Sequence, residues 1–278
     1  MTLAEVVAAA LAEDLGPLGD ITAALLPSKA TAEALLVPRS GGVLAGCTAA
    51  REAFRQVGDT TVVWSAWDGD AVSGGTAVAQ VTGRLASILT GERTALNFLC
   101  HLSGIATLTR RYVDAVAGTG ARIRDTRKTT PGLRTLEKAA VRFGGGVNHR
   151  GNLSDGILVK DNHLAGVTIA EAVSGSRRLW PGRMVQVECD NVDQLEQSLA
   201  AGADLVLLDN MSPEEVAACV KLVAASVAER NGLRCLVEVS GGVNLDTVAS
   251  YAAAGADLIA IGALTHSAPI LDIGLDLS

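Results

Sequence analysis

Six short runs of β-forming residues, each followed by a helical stretch, constrain this chain more than any other feature. The runs are Ala121–Asp125 (ARIRD), Gly156–Lys160 (GILVK), Met184–Glu188 (MVQVE), Leu205–Asp209 (LVLLD), Cys235–Ser240 (CLVEVS) and Leu258–Gly262 (LIAIG). Helices are expected between them, most clearly over Asn191–Ala201 and Ser212–Arg230, each opening on an Asn or Ser cap ahead of Glu or Gln. A third, Asn244–Ala254, is closed by Gly255. Such alternation gives parallel strands, since each helix carries the chain back to the start of the next strand. The steps are even and no G-x-G-x-x-G follows the first run, which favours a closed α/β barrel over a dinucleotide-binding sheet. Chemistry in such barrels sits at the carboxyl ends of the strands. The runs deliver Arg127 and Lys128, Lys160, Glu188, Asp209, Ser240 and Gly262 to those ends.

The first hundred residues have a different texture. Alternating segments such as Ala77–Val81 sit among Gly-rich turns at Gly41-Gly42 and Gly74-Gly75, and a helix is expected over Glu92–His101. This predicts an α+β domain ahead of the barrel, with the boundary near Gly104–Thr109. Leu3, Val6, Val7, Ala10 and Leu11 recur at helical spacing, and no early Lys or Arg accompanies them, so the N-terminus reads as a helix and not a signal peptide. No run reaches the ~18 apolar residues of a membrane span. Aromatic residues make up only 3% of the 278, so the core must be built from Ala, Val, Leu and Ile. Trp64, Trp67 and Trp180 carry no motif and are read as packing residues. The net charge of -7 argues against a nucleic-acid binder. The five cysteines are odd in number and include no Cys-x-x-Cys pair, which points to free thiols in a reducing cytosol.

The segment from Ala121 to His163 carries nine Lys or Arg against four acids, a local excess of five in an acidic protein. Lys160 ends an apolar run, where an unpartnered ammonium would cost several kcal/mol; a carboxylate or phosphate would be its partner. Gly144-Gly145-Gly146, just before Asn148-His149-Arg150, would let backbone amides approach an anion. Glu188 and Asp209, ending successive strands, suggest a Mg²⁺ site held directly or through water. Gly-containing strand ends at Ser240-Gly241-Gly242 and Ile261-Gly262-Ala263 suit a phosphate. Each feature has a plainer reading: Arg122 and Arg124 as salt-bridge residues, Arg134, Lys138 and Arg142 as a helix face, Asp209 as a helix cap, Cys189 as a core thiol.

Taken together, ERTALNFLCHLSGIAT (Glu92–Thr107), DTRKTTPGLRTLEKAAVRFGGGVNHR, ILVKDNH, VEVSGGV and GALTHSAPILDIGLDL resemble the quinolinate phosphoribosyltransferases. The resemblance implies an N-terminal α/β sandwich domain over residues 1–106, rejoined by 267–278, and an incomplete α/β barrel over 107–266. It implies a cytoplasmic homodimer with shared active sites that joins quinolinate to phosphoribosyl pyrophosphate with Mg²⁺, giving nicotinate mononucleotide, pyrophosphate and CO₂. Arg127, His149, Arg150 and Lys160 would line the quinolinate pocket, with Lys128 between acceptor and donor, Arg93 reaching in from the partner subunit and Thr126 among the other substrate-binding residues. Glu188 and Asp209 would hold ribose hydroxyls and Mg²⁺, and Ser240, Gly241 and Gly262 the 5′-phosphate; Lys128, Lys160, Glu188 and Asp209 are the expected catalytic residues. Lys128, Lys160 and His149 are all able to donate the proton after decarboxylation. A molybdenum-transport-associated homologue of the same fold and a non-catalytic phosphometabolite-binding protein are the alternatives.

Overall fold

The computed structural model describes residues 2–227 and 234–278. In chain order the elements are α1 (Leu3–Leu15), β1 (Thr31–Pro38), β2 (Gly42–Val43), α2 (Cys47–Val57), β3 (Thr60–Trp64), β4 (Ala71–Val72), β5 (Ala79–Arg84), α3 (Leu85–Ala115), β6 (Arg122–Arg124), α4 (Arg134–Phe143), β7 (Ile157–Val159) and α5 (Asp161–Leu164). They continue with α6 (Ile169–Leu179), β8 (Val185–Cys189), α7 (Val192–Ala200), β9 (Leu205–Asp209), α8 (Pro213–Ala225), β10 (Leu236–Ser240), α9 (Val248–Ala253), β11 (Leu258–Ala260), α10 (Ala263–His266) and β12 (Ile273–Leu277). The chain forms two compact units. One holds the stretch up to Arg110 with Lys128–Gly145 and Ala263–Ser278; the other holds Arg111–Arg127 and Gly146–Gly262. This division differs from the linear one at 106/107: α3 runs unbroken through that point, and the Lys128–Gly145 segment joins the first unit.

In the first unit, four antiparallel strands lie in the order β12-β1-β5-β3. The last strand of the chain thus pairs with the first, Ala34 opposite Leu277. Gly104 makes room for this return: a Cβ there would lie 2.1 Å from the Pro269 carbonyl oxygen. Val7, Leu36, Phe54, Val81, Ile88, Leu99 and Ile273 form the core. The Thr2 capping box starts α1 as the N-terminal pattern anticipates. The expected helix Glu92–His101 is only the middle of the 31-residue α3. Within this unit the buried Glu137 carboxylate takes His101 Nε2 at 2.8 Å and the Thr130 N–H at 3.1 Å.

The second unit is a six-stranded parallel sheet in the order β6-β11-β10-β9-β8-β7. All six expected runs are strands. The incomplete barrel that the resemblance implies is borne out and the closed one is not: β6 and β7 end the sheet, although Val147 adds a parallel bridge to Arg124 beside β6. The sheet is nonetheless strongly curved. Gln186 on β8 and Glu238 on β10 hydrogen-bond at 2.6 Å although β9 separates their strands. Alternation along the strands turns Val185, Val187, Val206, Leu208, Val237 and Val239 one way, and Gln186, Glu188, Asp209, Glu238 and Ser240 to the other face.

Two helices differ from expectation. Asn244 caps a turn through its side chain, so α9 begins only at Val248, and Gly255 follows it at φ +97. Ser212, not Asp209, caps α8, which ends at Ala225; the remainder of the Ser212–Arg230 expectation lies partly outside the described residues. Trp64 is buried as expected, whereas Trp67 and Trp180 are 50% and 56% exposed. None of the five cysteines is in a disulfide, and burial pushes the Cys189 thiol up to about 11.

Candidate active site

The residues singled out from sequence in the second unit stand where strands end. Lys160 follows β7 and its ammonium donates to the Glu188 carboxylate on β8. Glu188 is 8% exposed, so this cation is its compensation for burial. Register places Glu188 beside Leu207 and Asp209 beside Ser240. Asp209 therefore lies two residues further along the same face, a step of about 6–7 Å. The two acids line one strip of the site, but the partner of Glu188 is Lys160.

Asp209 and Ser240 are clamped by the turn after β9. Asn210, at φ +57, donates its N–H to the Ser240 carbonyl (2.9 Å) and its side-chain amide to Asp209 Oδ2 (2.6 Å). Gly241 is obligatory there: its φ is +95, and an added Cβ would lie 2.2 Å from Asn210 Oδ1. Gly262 follows β11, where the Ile261 N–H bonds to the Arg124 carbonyl at 2.9 Å.

Beside β6, the chain from Val147 runs as an added strand and brings Asn148, His149 and Arg150 to the concave face. Asp125, fully buried, accepts from Asn148 Nδ2 (2.5 Å) and from the His149 N–H (2.7 Å). The half-buried Arg150 guanidinium donates to the Gly156 carbonyl at 3.1 Å, at the amino end of β7, whereas Lys160 stands at the carboxyl end of that strand. Burial and then the neighbouring Arg127 push the Arg150 guanidinium below its ordinary value. Thr126 and Arg127 follow β6 directly and are half-buried. In the first unit, Arg93 is exposed on α3; Lys128 is exposed, with its carbonyl held by Thr265 Oγ1 at 2.7 Å.

The triple glycine acts differently from the expected anion cradle. A Cβ at Gly144 would lie 2.5 Å from the Ala106 carbonyl oxygen, and Gly145 has φ +94, so these glycines serve close helix packing and a left-handed turn. A cavity of about 630 Å³ opens at the amino ends of the strands, between Met184, Leu205, Leu236 and Leu258, and reaches Arg124, His149, Arg150 and Gln186. Glu188, Asp209 and the Gly-containing loops singled out from sequence stand at the other end. Sequence reasoning passed over Asp125, Gln186 and Glu238. Period-two alternation could have found the last two, for they lie two residues before Glu188 and Ser240 on the same face.

Residues 20–103 match the quinolinate phosphoribosyl transferase N-terminal domain, and residues 105–276 match the C-terminal domain of the same family. The nicotinate-nucleotide pyrophosphorylase (carboxylating) of Mycobacterium leprae is 44% identical over 276 residues, spanning 96% of this chain and 94% of that protein. A probable enzyme of the same name from Bacillus subtilis is 40% identical over 270 residues, 96% of this chain and 90% of that one. Among solved structures, the nicotinate-nucleotide pyrophosphorylase of Francisella tularensis superposes with a TM-score of 0.93 at 36% identity, covering 99% of this chain and 96% of that one. That of Ehrlichia chaffeensis gives 0.93 at 38% identity, covering 100% and 99%. The chain belongs to the quinolinate phosphoribosyltransferase family.

Proposed function

We infer that this chain transfers the phosphoribosyl group of phosphoribosyl pyrophosphate to quinolinate with decarboxylation, giving nicotinate mononucleotide, pyrophosphate and CO₂ for NAD synthesis. The carrying observation is that adjacent strands bring Lys160, Glu188, Asp209 and Ser240 to one end of the sheet. Quinolinate presents two adjacent carboxylates, and two guanidiniums meet them in forked geometry. Lys160 faces the acceptor, while Glu188 and Asp209 stand at the ribose and favour the positive charge that develops as pyrophosphate leaves. Ser240, Gly241 and Gly262 receive the 5′-phosphate. The ribosylated ring nitrogen stabilises the carbanion left by CO₂. Lys128 or Lys160 supplies the proton, since His149 spends both ring nitrogens on protein partners.

Magnesium fits this donor set as an ion held mostly by substrate. Among the described residues no group of three or more His, Cys, Asp or Glu forms a cage. Glu188 and Asp209 would hold it together with oxygens of the phosphoribosyl donor, since carboxylates and substrate phosphates are the usual ligands of this ion. Bound there, it would neutralise charge on the pyrophosphate leaving group.

The working form proposed is a homodimer in which Arg93 of a second copy completes the acceptor pocket. Exposure of Arg93 supports this, as do Leu153, Leu179, Trp180 and Met184 of the second unit, all more than half exposed. No helix among the described residues is long and apolar enough to cross a membrane. Turnover assays with phosphoribosyl pyrophosphate and either quinolinate or nicotinate test the function. Release of CO₂ and pyrophosphate from quinolinate alone is expected; equal use of nicotinate would overturn the assignment.

A further inference from the structure

The side chains behind Asn148–Arg150 form one directed chain of hydrogen bonds. The Arg150 N–H donates to His149 Nδ1 at 2.7 Å, so Nδ1 carries no proton. Nε2 then bears it and donates to Gln186 Oε1 at 2.9 Å. The Gln186 amide is oriented independently. Its nitrogen lies 2.6 Å from Glu238 Oε2, which also accepts from Arg124 Nη1 at 2.8 Å, so its oxygen must face the imidazole. Gln186 is 5% exposed and Glu238 wholly buried. Among the described residues Glu238 Oε1, which is buried, has no hydrogen-bond partner. A buried acid with one oxygen unsatisfied is costly in stability alone, and such groups call for a functional explanation.

We propose that Gln186 and Glu238 are positioning residues for the acceptor pocket: they hold His149 in its neutral Nε2–H tautomer and so fix the backbone from which Arg150 reaches the dicarboxylate. The proposal rests on the quinolinate reading above. It gives a reason for an amide at position 186. Gln186 passes the hydrogen bond from Glu238 to His149 without adding charge. A second carboxylate there would stand against Glu238 and draw His149 toward the imidazolium, whose Nδ1–H would oppose the Arg150 N–H.

Two measurements test it. In the protein labelled with ¹⁵N at histidine, two-bond ¹H–¹⁵N spectra between about pH 6 and 8 should show His149 with a protonated Nε2 and a bare Nδ1. A protonated Nδ1 overturns the proposal whatever the variants do. Steady-state kinetics of Gln186→Leu should show the quinolinate KM raised about tenfold, the phosphoribosyl pyrophosphate KM within about twofold of wild type and the unfolding midpoint little moved. A quinolinate KM raised less than about threefold overturns it. Should Gln186→Leu not fold, Glu238→Gln takes its place with the same expected split. A wild type that does not turn over quinolinate sinks the functional reading; one that does, beside an unchanged variant, sinks this inference alone.

Discussion

Lys160 at the end of β7 holds the carboxylate of Glu188 on the adjacent strand β8, so two of the residues proposed for catalysis form one ion pair. Glu188→Gln removes the charge that compensates Lys160. Turnover should fall by about two orders of magnitude or more, since an electrostatic group at the reacting centre is lost. Quinolinate affinity should stay within about tenfold, or ~1.4 kcal/mol. The Lys160 side chain is 40% exposed, so the stability cost should be about 1 kcal/mol at most. Calorimetric titration beside a rate assay separates these effects, and a collapse of quinolinate binding would place Glu188 in the acceptor pocket.

Arg150→Ala should narrow the preference for quinolinate over nicotinate. It removes one guanidinium from the crowded pair, at a cost of roughly 2–5 kcal/mol for the dicarboxylate if the contact is desolvated. Nicotinate lacks the second carboxylate and should change far less. Competitive binding of both acids to wild type and variant gives the ratio; an unchanged ratio would assign Arg150 to the phosphoribosyl donor.

Sharing of the site between copies is read by complementation. Arg93→Ala and Lys160→Ala should each be inactive as pure dimers. Each mixed dimer should regain about half of wild-type activity, or about a quarter for a randomly paired equimolar mixture, because one of its two composite sites carries neither lesion. Confirmed heterodimers with no activity would rule out the shared site.

Gly241 and Gly242 make an internal control, because both have positive φ but only one is crowded. Gly241→Ala drives a Cβ to 2.2 Å from Asn210 Oδ1, whereas at Gly242 nothing lies within 4 Å. Gly241→Ala should cost about 2 kcal/mol or more and raise the phosphoribosyl pyrophosphate KM, against about 1 kcal/mol for Gly242→Ala. Urea unfolding and initial rates check this, and equal costs would show that the turn relaxes freely.

Burial, opposed by Arg124 and Gln186, raises the Glu238 carboxyl above its ordinary 4.5. The folded state therefore binds this proton more tightly than the unfolded chain. The stability it contributes is complete below pH 4.5 and is lost as pH rises from there through the raised folded value. Glu238→Gln should lack this decline, so the wild-type unfolding free energy should fall with pH relative to the variant across that window. Parallel curves would mean that Glu238 is ionised in the folded state at the ordinary value.

The alternation of strand and helix was legible from Ala121 onward, because apolar period and cap residues are local properties of the chain. The same holds for Lys160, Glu188, Asp209 and Ser240 at strand ends, where the end of an apolar run is visible in the residues themselves. The catalytic reading came from the joint match of several motifs, which no single spacing would have supplied. Tertiary structure alone decided that Glu188 pairs with Lys160 and lies a step below Asp209, since register between strands is set by packing that no single strand encodes. It alone gave Gly144 and Gly145 a packing and turn role and drew Lys128–Gly145 into the first unit. The cluster of Arg124, Asp125, Gln186 and Glu238 around His149 is the clearest case. Its members are separated by up to 114 residues along the chain, and only the curvature of the sheet brings strands that are not neighbours within hydrogen-bonding reach.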